Sequence, residues 1–580
     1  MRNQAVNYEF EDYKLLTEER LLMRDGRPVS LKPKVLETLL ALVRSRGRLM
    51  TKDELIGEIW AGNVVEEGNL TQYIFTLRKV FGETPQDHRF ILTVPGQGYR
   101  FIAKVNEINS NNGFVTNGNS GSGKVASLAI LPLKLLTVSE SDHYLGLAIA
   151  DALITRLSLN QTVTVRPTAT IVRYSESDAE PVSIGRDLSV DAIVGGTIQK
   201  IKGKFHVNIQ LTDVRTLKTI WARQFDADAT DLISFQDQIS AQVADSLTIE
   251  LNRTCQGKKL PKGTQTYQMY LKGRFFWEKR CEVGIRKALN NVLEVVEAEP
   301  DFPLGHVGIA DCYLFLGEYL FDKPQAAFPP ARAAALKAVA LDPGLAEAYA
   351  SLGEYYFYYE RNWAKAHEMY TEAIRLDPNY ASAFHWYCWY LIAMNQYDEA
   401  LVQIERAQTL DPNSLILNTI RGLPFYYRGE YEQAIRQFND TLEIDPEFDH
   451  ARYYLGSALV HSGKSKEAVT EFEKLVQAQP IQQFYGLLGY CYGVSGEATK
   501  ARRILKELDR MEKESYISPY IRAIVHTGLG EKDKALEMLQ RALDQNAAWL
   551  VWLNADPFFS SLRNEPKFLR IIQELKFPAN

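Results

Sequence analysis

Apolar positions along this chain change their spacing three times, and each change marks a different kind of structure. Near the start they come in short runs. Tyr13–Leu16, Leu21–Arg24 and Pro28–Leu31 read as strands, with Asp25-Gly26 as a hairpin turn. Lys34–Arg46 then carries Val35, Leu36, Leu39, Leu40 and Val43 at helical spacing and stops at Gly47. Thr51 and Glu54 have the spacing of a capping box, which starts a second helix running to Trp60. After a loop over Ala61–Glu66, the residues Leu70, Ile74, Leu77 and Phe81 form the apolar stripe of a third helix. Arg89–Thr93 and Tyr99–Ala103 read as strands joined by the exposed turn Pro95-Gly96-Gln97-Gly98.

From 125 to 252 the pattern alternates between strand and helix. Val125–Leu131, Val163–Val165, Ala192–Gln199, Phe205–Asp213 and Thr219–Asp226 read as strands, with Lys202-Gly203-Lys204 as a turn. Tyr144–Leu159, Val182–Leu188 and Phe235–Leu251 read as helices. The expectation is a small α/β domain.

From about Thr266 the chain is helical and self-similar. Prolines at 300, 343, 378, 412, 446 and 480 follow Ala-Glu, Leu-Asp, Ile-Asp or Ala-Gln, in steps of 43, 35, 34, 34 and 34 residues. A 34-residue period ending in proline is the signature of tetratricopeptide repeats, predicting an all-α superhelix over 264–575. Small residues keep the same register: Gly353, Cys388, Gly422 and Gly456, then Ala400, Ala434 and Ala468. They mark where paired helices cross too closely for large side chains. The 43-residue step reads as an insertion, Phe-Asp-Lys-Pro-Gln-Ala-Ala-Phe-Pro-Pro. Tyr355, Tyr356, Tyr358 and Tyr359 read mainly as repeat packing, with some of them available to line a groove for a protein or peptide partner.

Residues 106–124 are rich in Asn, Gly and Ser, and read as a flexible linker between the first two regions. Gly118–Lys124 fits the spacing of a phosphate-cradling loop, but Val125 stands where the magnesium-binding hydroxyl belongs. A strand pattern follows where that loop needs a helix, so no nucleotide cofactor is expected. Composition adds little: 46% hydrophobic, 24% charged and a net charge of −6 describe an ordinary globular protein. Residues 1–105 carry 16 Lys+Arg against 14 Asp+Glu, a weakly basic head on an acidic body. Five scattered cysteines form no Cys-x-x-Cys pair and no disulfide framework. No apolar run reaches membrane-spanning length and the start has no signal-peptide core, so the expected location is the cytoplasm. The histidines show no metal spacing. His385, between Phe384 and Trp386, reads as packing, and Asp187 and Asp191 read as surface and strand-edge residues. Neither a catalytic motif nor a metal site is expected.

The third helix carries the sharpest functional signal. Opposite its stripe stand Asn69, Gln72, Tyr73, Thr76 and Lys79, whose amides and hydroxyls suit base edges in a major groove. Arg78 and Lys79 suit phosphates. With the early strands, Glu54-Leu55, Trp60, Leu-Arg-Lys at 77–79 and Val-Pro-Gly-Gln-Gly-Tyr-Arg-Phe at 94–101, residues 8–105 resemble the OmpR/PhoB-type winged-helix DNA-binding family. The resemblance implies a winged helix-turn-helix in which Gln72, Tyr73 and Thr76 face bases and Asn69, Arg78 and Thr93 touch phosphates. The wing, with Gln97 and Arg100, would approach the minor groove, and loop 61–66 would face RNA polymerase. Pro95 replaces the usual wing arginine, and Thr76 stands where many members have arginine. No space precedes residue 8 for a receiver domain.

The middle region resembles the N-terminal domain of TolB and FlgO-type proteins, found beside repeats in CadC-like regulators and some adenylate cyclases. The residues that carry this are Ala-Ile-Leu-Pro-Leu at 129–133, Tyr-Leu-Gly-Leu-Ala at 144–148, Val-Asp-Ala-Ile-Val-Gly-Gly-Thr at 190–197 and Ile-Trp-Ala-Arg-Gln-Phe-Asp at 220–226. That resemblance implies no catalysis. The combined expectation is a multidomain α+β protein that is not an enzyme. A winged-helix head binds promoter DNA, and a body of α/β domain and repeats receives a protein or ligand signal, with self-association as a switch. The rivals are a repeat scaffold with a weakly or non-specifically DNA-binding head, and an enzyme with its site in 125–252.

Overall fold

The computed structural model describes residues 6–17, 21–24, 27–29, 33–45, 47–60, 67–81, 83, 89–94, 97–109, 125–136, 144–157, 163–175, 177, 179–201, 204–228, 238–239, 241–243, 261, 263–412 and 414–578. They fall into two compact units, a head within 1–122 and a body within 123–580.

The head opens with β1 (Val6–Phe10), β2 (Tyr13–Leu16), β3 (Leu21–Arg24) and β4 (Arg27–Val29). Next come α1 (Pro33–Arg44), β5 (Met50–Thr51), α2 (Lys52–Trp60) and α3 (Glu67–Phe81). The wing strands β6 (Ile91–Val94) and β7 (Gly98–Phe101) follow, then β8 (Asn106–Asn109). One antiparallel sheet runs β4-β3-β2-β1-β8, and a second runs β5-β7-β6. The strand β8 corrects the boundary read from sequence. Residues 106–109 are not linker but pair with Val6–Glu9, so the head extends to both sides of 8–105. The Asp25-Gly26 turn lies outside the described residues, as do 61–66 and 110–124, with the Gly118–Lys124 segment among them.

Local chemistry explains the head's elements. The Glu54 carboxylate accepts from the Thr51 amide at 2.8 Å, and the Thr51 hydroxyl accepts from the Glu54 amide at 3.1 Å, the reciprocal box that starts α2. Gly47 follows α1 at φ +82°, a turn that a side chain would strain. Phe10, Tyr13, Phe81, Phe90 and Phe101 form an aromatic core, with Phe81 and Phe90 stacked at 4.5 Å and Phe10 and Phe101 edge-on at 5.1 Å. That core joins the N-terminal sheet, the end of α3 and the wing.

The body begins with a mixed sheet. Here β9 (Ser127–Ile130) pairs in parallel with β11 (Thr164–Val165) and β12 (Ala192–Ile201). Antiparallel β13 (Lys204–Asp213) and β14 (Thr219–Asp228) extend it. The short β10 (Lys134–Leu135) and the helices α4 (Leu145–Leu157), α5 (Thr168–Ile171) and α6 (Pro181–Asp187) complete the layer, α5 and β10 being elements without a sequence signal. Asp191 fastens an edge, accepting from the Ala126 and Ser127 amides at 2.9 and 3.0 Å. Of the helix expected over Phe235–Leu251, only 238–239 and 241–243 are described, as helix.

Helix Thr264–Trp277, expected to open the repeats, shares the core of the α/β domain through Tyr267 and Leu271, both fully buried. Arg274 on it pairs with Asp151 of α4 at 3.3 Å. The buried Arg166 guanidinium donates to the Leu410 carbonyl at 2.9 Å, and Thr170 donates to Asp411. The α/β domain and the repeats are therefore one packed body.

The repeat register holds in three dimensions. A Cβ on Gly353 would meet the Tyr370 ring at 2.6 Å, and one on Gly456 the Phe472 ring at 2.8 Å. The inserted segment 321–330 is helical from Pro324 onward, in a helix Pro324–Leu341 that continues through Pro329 and Pro330. The C-terminal segment returns to the early repeats. The Trp549 indole donates to the Glu318 carbonyl at 2.9 Å, and the Trp363 indole to the Lys576 carbonyl at 2.8 Å. Trp552 stacks on Tyr427 and meets Phe357 and Trp389 edge-on.

Candidate nucleic-acid interface

Helix α3 is held by one face. Leu70, Ile74, Leu77 and Phe81 are each at most 2% exposed, as their spacing required. At the end of the helix, the Tyr13 hydroxyl donates to the Val80 carbonyl at 3.0 Å, tying α3 to the N-terminal sheet. Tyr73 is half-buried against the same core, so its ring does packing work as well as standing beside the outer face. Thr76 is half-buried. Asn69, Gln72 and Lys79 lie on the α3 backbone; their side chains are outside the described residues, as is Pro95.

Arg78 is placed differently from the phosphate contact expected of it. Its Nη2 donates to the Ile91 carbonyl at 2.9 Å and to the Thr93 hydroxyl at 2.8 Å, and its Nε lies 3.6 Å from the Glu83 carboxylate. The Glu83 side chain is completely buried and accepts from the Phe90 amide and, at 3.1 Å, from the Ile91 amide. Arg78, Glu83 and Thr93 thus form a strut between α3 and the first wing strand. With these partners the guanidinium joins α3 to the wing strand, and the Thr93 hydroxyl serves it as acceptor. Glu83 had no sequence signal, because a single acid past a helix end looks like any surface residue until the strand returns to it.

The wing is built on close backbone contact. Gly98 and Tyr99 of β7 pair with Thr51 and Met50 of β5, and Ile91–Val94 pairs with Gly98–Phe101. Gln97 is exposed at the turn; its amide donates to the Val94 carbonyl at 3.0 Å and its carbonyl accepts from the Lys52 amide at 3.3 Å. Arg100 on β7 is exposed, as are Arg89 and Lys104. The structure therefore gathers α3, Gln97 and Arg100 on one small head with wing and helix rigidly joined. The exposed cations described around the wing are Arg89, Arg100 and Lys104.

In the body, the residues weighed for other chemistry are structural. His385 accepts from the Trp389 indole at 2.9 Å, and burial pushes its ring down to about 3, which keeps it neutral. Tyr355, Tyr356 and Tyr358 are buried, with Tyr358 donating to Glu318 at 3.1 Å. Among the described residues no His, Cys, Asp and Glu group could hold a metal ion, and no helix is long and apolar enough to cross a membrane.

A three-stranded wing packed on a helix-turn-helix, followed by an α/β layer and a repeat superhelix, defines a DNA-binding-domain protein with a tetratricopeptide body. Comparison with known proteins agrees. Residues 26–101 match the family described as "Transcriptional regulatory protein, C terminal", and 124–242 match "HilA/YgeH-like transcriptional regulator, second domain". Residues 357–418 and 421–482 match tetratricopeptide repeats. The head carries an OmpR/PhoB-type domain, and the chain is a homologue of HilA- and CadC-like regulators. It is similar to transcriptional regulator HilA of Salmonella typhi, 23% identical over 575 residues, covering 96% of this chain and 98% of that one. Transcriptional activator CadC of Escherichia coli K12 is 32% identical over 85 residues, 14% of this chain and 17% of CadC. The solved DNA-binding domain of E. coli CadC is 26% identical, covers 18% of this chain and 96% of that domain, and gives a TM-score of 0.16.

Proposed function

We propose that this protein is a transcription regulator whose head recognises a specific promoter sequence in double-stranded DNA. The observation that carries the reading is the strut. Arg78 and Glu83 lock α3 to the wing, so a helix in the major groove and a wing on the backbone act as one rigid reader. Gln72, Tyr73 and Thr76 are assigned to base edges, and Asn69, Lys79, Gln97 and Arg100 to the sugar–phosphate backbone. The likeness to HilA along nearly the whole chain supports a regulator rather than a scaffold, and rules in no catalytic step.

The body is assigned the role of receiving the signal. Its α/β domain and repeats are fastened through Arg274–Asp151 and Arg166–Leu410, so an event in one reaches the other. A protein partner at the repeats, contact of loop 61–66 with RNA polymerase, and self-association complete the proposal; two heads on tandem half-sites would multiply affinity through effective concentration.

The test is equilibrium binding of the full chain to its strongest genomic site, found by genome-wide mapping, and to a shuffled duplex, at rising salt. Phosphate contacts fade with salt whatever the sequence, while base readout persists. A preference of at least a hundredfold surviving at 0.2 M salt supports the proposal. Equal affinities at every salt concentration would remove it.

A further inference from the structure

Two helices of the first repeats carry apolar side chains on the side that faces solvent. In Pro324–Leu341, Phe328, Ala331, Ala335 and Ala338 are buried and hold the helix to the repeat core. On the opposite side Ala326, Pro329, Ala333, Leu336 and Ala340 are exposed, Leu336 by 41%. They follow one another at alternating steps of three and four residues, the seam by which one helix packs on another. The helix contains no acid, and its only cations are Arg332, which stacks on the Tyr355 ring, and Lys337. A helix that is apolar on both sides is expected to be covered on both.

The helix Glu282–Ala298 carries the matching positions. The prolines that close these two repeats are 43 residues apart, so Leu293 and Leu336 occupy the same place in the repeat, as do Glu294 and Lys337. Leu293 is 41% exposed and Val283, which matches Ala326, is 65% exposed. Single apolar residues scattered on a surface are ordinary. These are aligned, and later repeats do not share them. Ala333, Leu336 and Ala340 correspond to Glu368, Thr371 and Arg375 in the next repeat, and to Arg436, Asn439 and Glu443 further on.

Charge identifies what covers the face. Glu294 and Glu297 flank Leu293, and Lys337 flanks Leu336; all three are exposed, and none is in an ion pair among the described residues. A two-fold axis running between the two helices, parallel to them, lays the earlier helix of one copy over the later helix of the other. The facing helices then run in the same direction, and equivalent positions meet. Leu293 lies opposite Leu336 of the second copy and Glu294 opposite Lys337 of the second copy, each contact occurring twice. The face is therefore complementary to itself in both apolarity and charge.

We propose that the outer side of Glu282–Ala298 and Pro324–Leu341 pairs with the same face of a second copy of this chain. Helices about 25 Å long give a contact at the small end of specific interfaces, so the dimer forms and separates with concentration. This dimer supplies the surface for the self-association assigned to the body, and rests on that reading.

The experiment is sedimentation equilibrium of the full chain from about 1 to 200 µM, a range that brackets weak specific association. A reversible dimer is the expected result. Leu293→Glu and Leu336→Glu should each weaken it at least tenfold without moving the melting transitions, because both sites are exposed. Glu294→Lys and Lys337→Glu should each weaken it at least threefold, by setting like charges opposite one another, and the two together should restore it. A dimer that persists in both leucine variants, or a charge exchange that restores nothing, overturns this surface and leaves the self-association reading standing. A chain that stays monomeric throughout, including one whose face is taken by an unrelated protein, overturns both. The charge exchange decides the matter should a leucine variant fail to fold.

Discussion

At the scale of single residues, two positions convert burial into measurable consequences. Arg78 holds a wholly buried Glu83 and two acceptors of the wing strand. Arg78→Ala should therefore destabilise the head by about 2–3 kcal/mol, because it leaves a buried carboxylate without its cation. That is a fall of roughly 10 °C or more in the head's melting transition. Arg100→Ala, at an exposed wing position, should leave melting unchanged and lower DNA affinity, with a salt slope smaller by about 1. If Arg78→Ala melts like the wild type and loses affinity alone, Arg78 is a phosphate contact after all. Asp556 supplies a pH test. Burial raises its carboxyl from 3.8 to about 6, so the folded state holds the proton more tightly than the unfolded chain. Its stabilising contribution is full below about 4 and is lost as pH rises to about 6. Asp556→Asn, which cannot ionise, should gain on the wild type across that window by roughly 3 kcal/mol and keep a constant advantage above it. Denaturant unfolding at pH 4 and pH 7 reads this, and the difference between variant and wild type cancels the opposite titration of buried His385 and His450.

At the scale of elements, legibility followed the distance over which partners act. The α3 stripe, the Thr51–Glu54 box and the 34-residue register depend on neighbours within one or two turns or one repeat, and their residues announce them. Strands β1 and β8 pair Val6 with Asn109 across the whole head. Val-Asn-Tyr-Glu-Phe of β1 does alternate, but its partner β8 does not, and Asn-Glu-Ile-Asn inside an Asn-rich stretch looks like linker. The strut escaped for the same reason, since Arg78 and Thr93 meet only when the wing folds back. Glycines separate the two kinds of element. A Cβ on Gly98 would sit 2.0 Å from the Met50 carbonyl oxygen and 2.9 Å from the Thr51 Cα, both backbone of the paired strand. Gly98→Ala must part β5 from β7, and is expected to cost about 3 kcal/mol and to release amide protection at residues 50–51 and 98–99. On Gly422 the neighbour is the Phe438 ring at 2.4 Å, a side chain that can rotate, so Gly422→Ala should cost less, about 1–2 kcal/mol. Equal costs at the two sites would mean that the repeat crossing is as unyielding as the wing sheet.

At the scale of the whole molecule, the C-terminal return decides what kind of repeat array this is. A simple solenoid contacts only its neighbours and loses stability in proportion when an end is removed. Here residues far apart are joined: Arg361 donates to Asn546 at 2.5 Å and to the Ala547 carbonyl at 2.9 Å, and Trp363 stacks on Phe577 at 5.0 Å. Residues 548–559 place Trp549, Trp552, Phe558 and Phe559 against the rings of Phe357, Trp389, Tyr427, Tyr490 and Tyr520. That arrangement makes the array a closed unit in which early helices depend on late ones. Truncation after Asp544 removes these rings and uncovers Phe357, Trp389 and Tyr427 together. It should lower the body's stability by far more than the loss of one terminal repeat, and raise hydrogen exchange in the helices around Glu318 and Trp363, more than 180 residues away in sequence. The head's melting should not move, because its aromatic core is complete within residues 6–109. Exchange confined to helices adjoining the cut would mean that the repeats behave as an open solenoid, and that the returning segment rests on the interior without holding it.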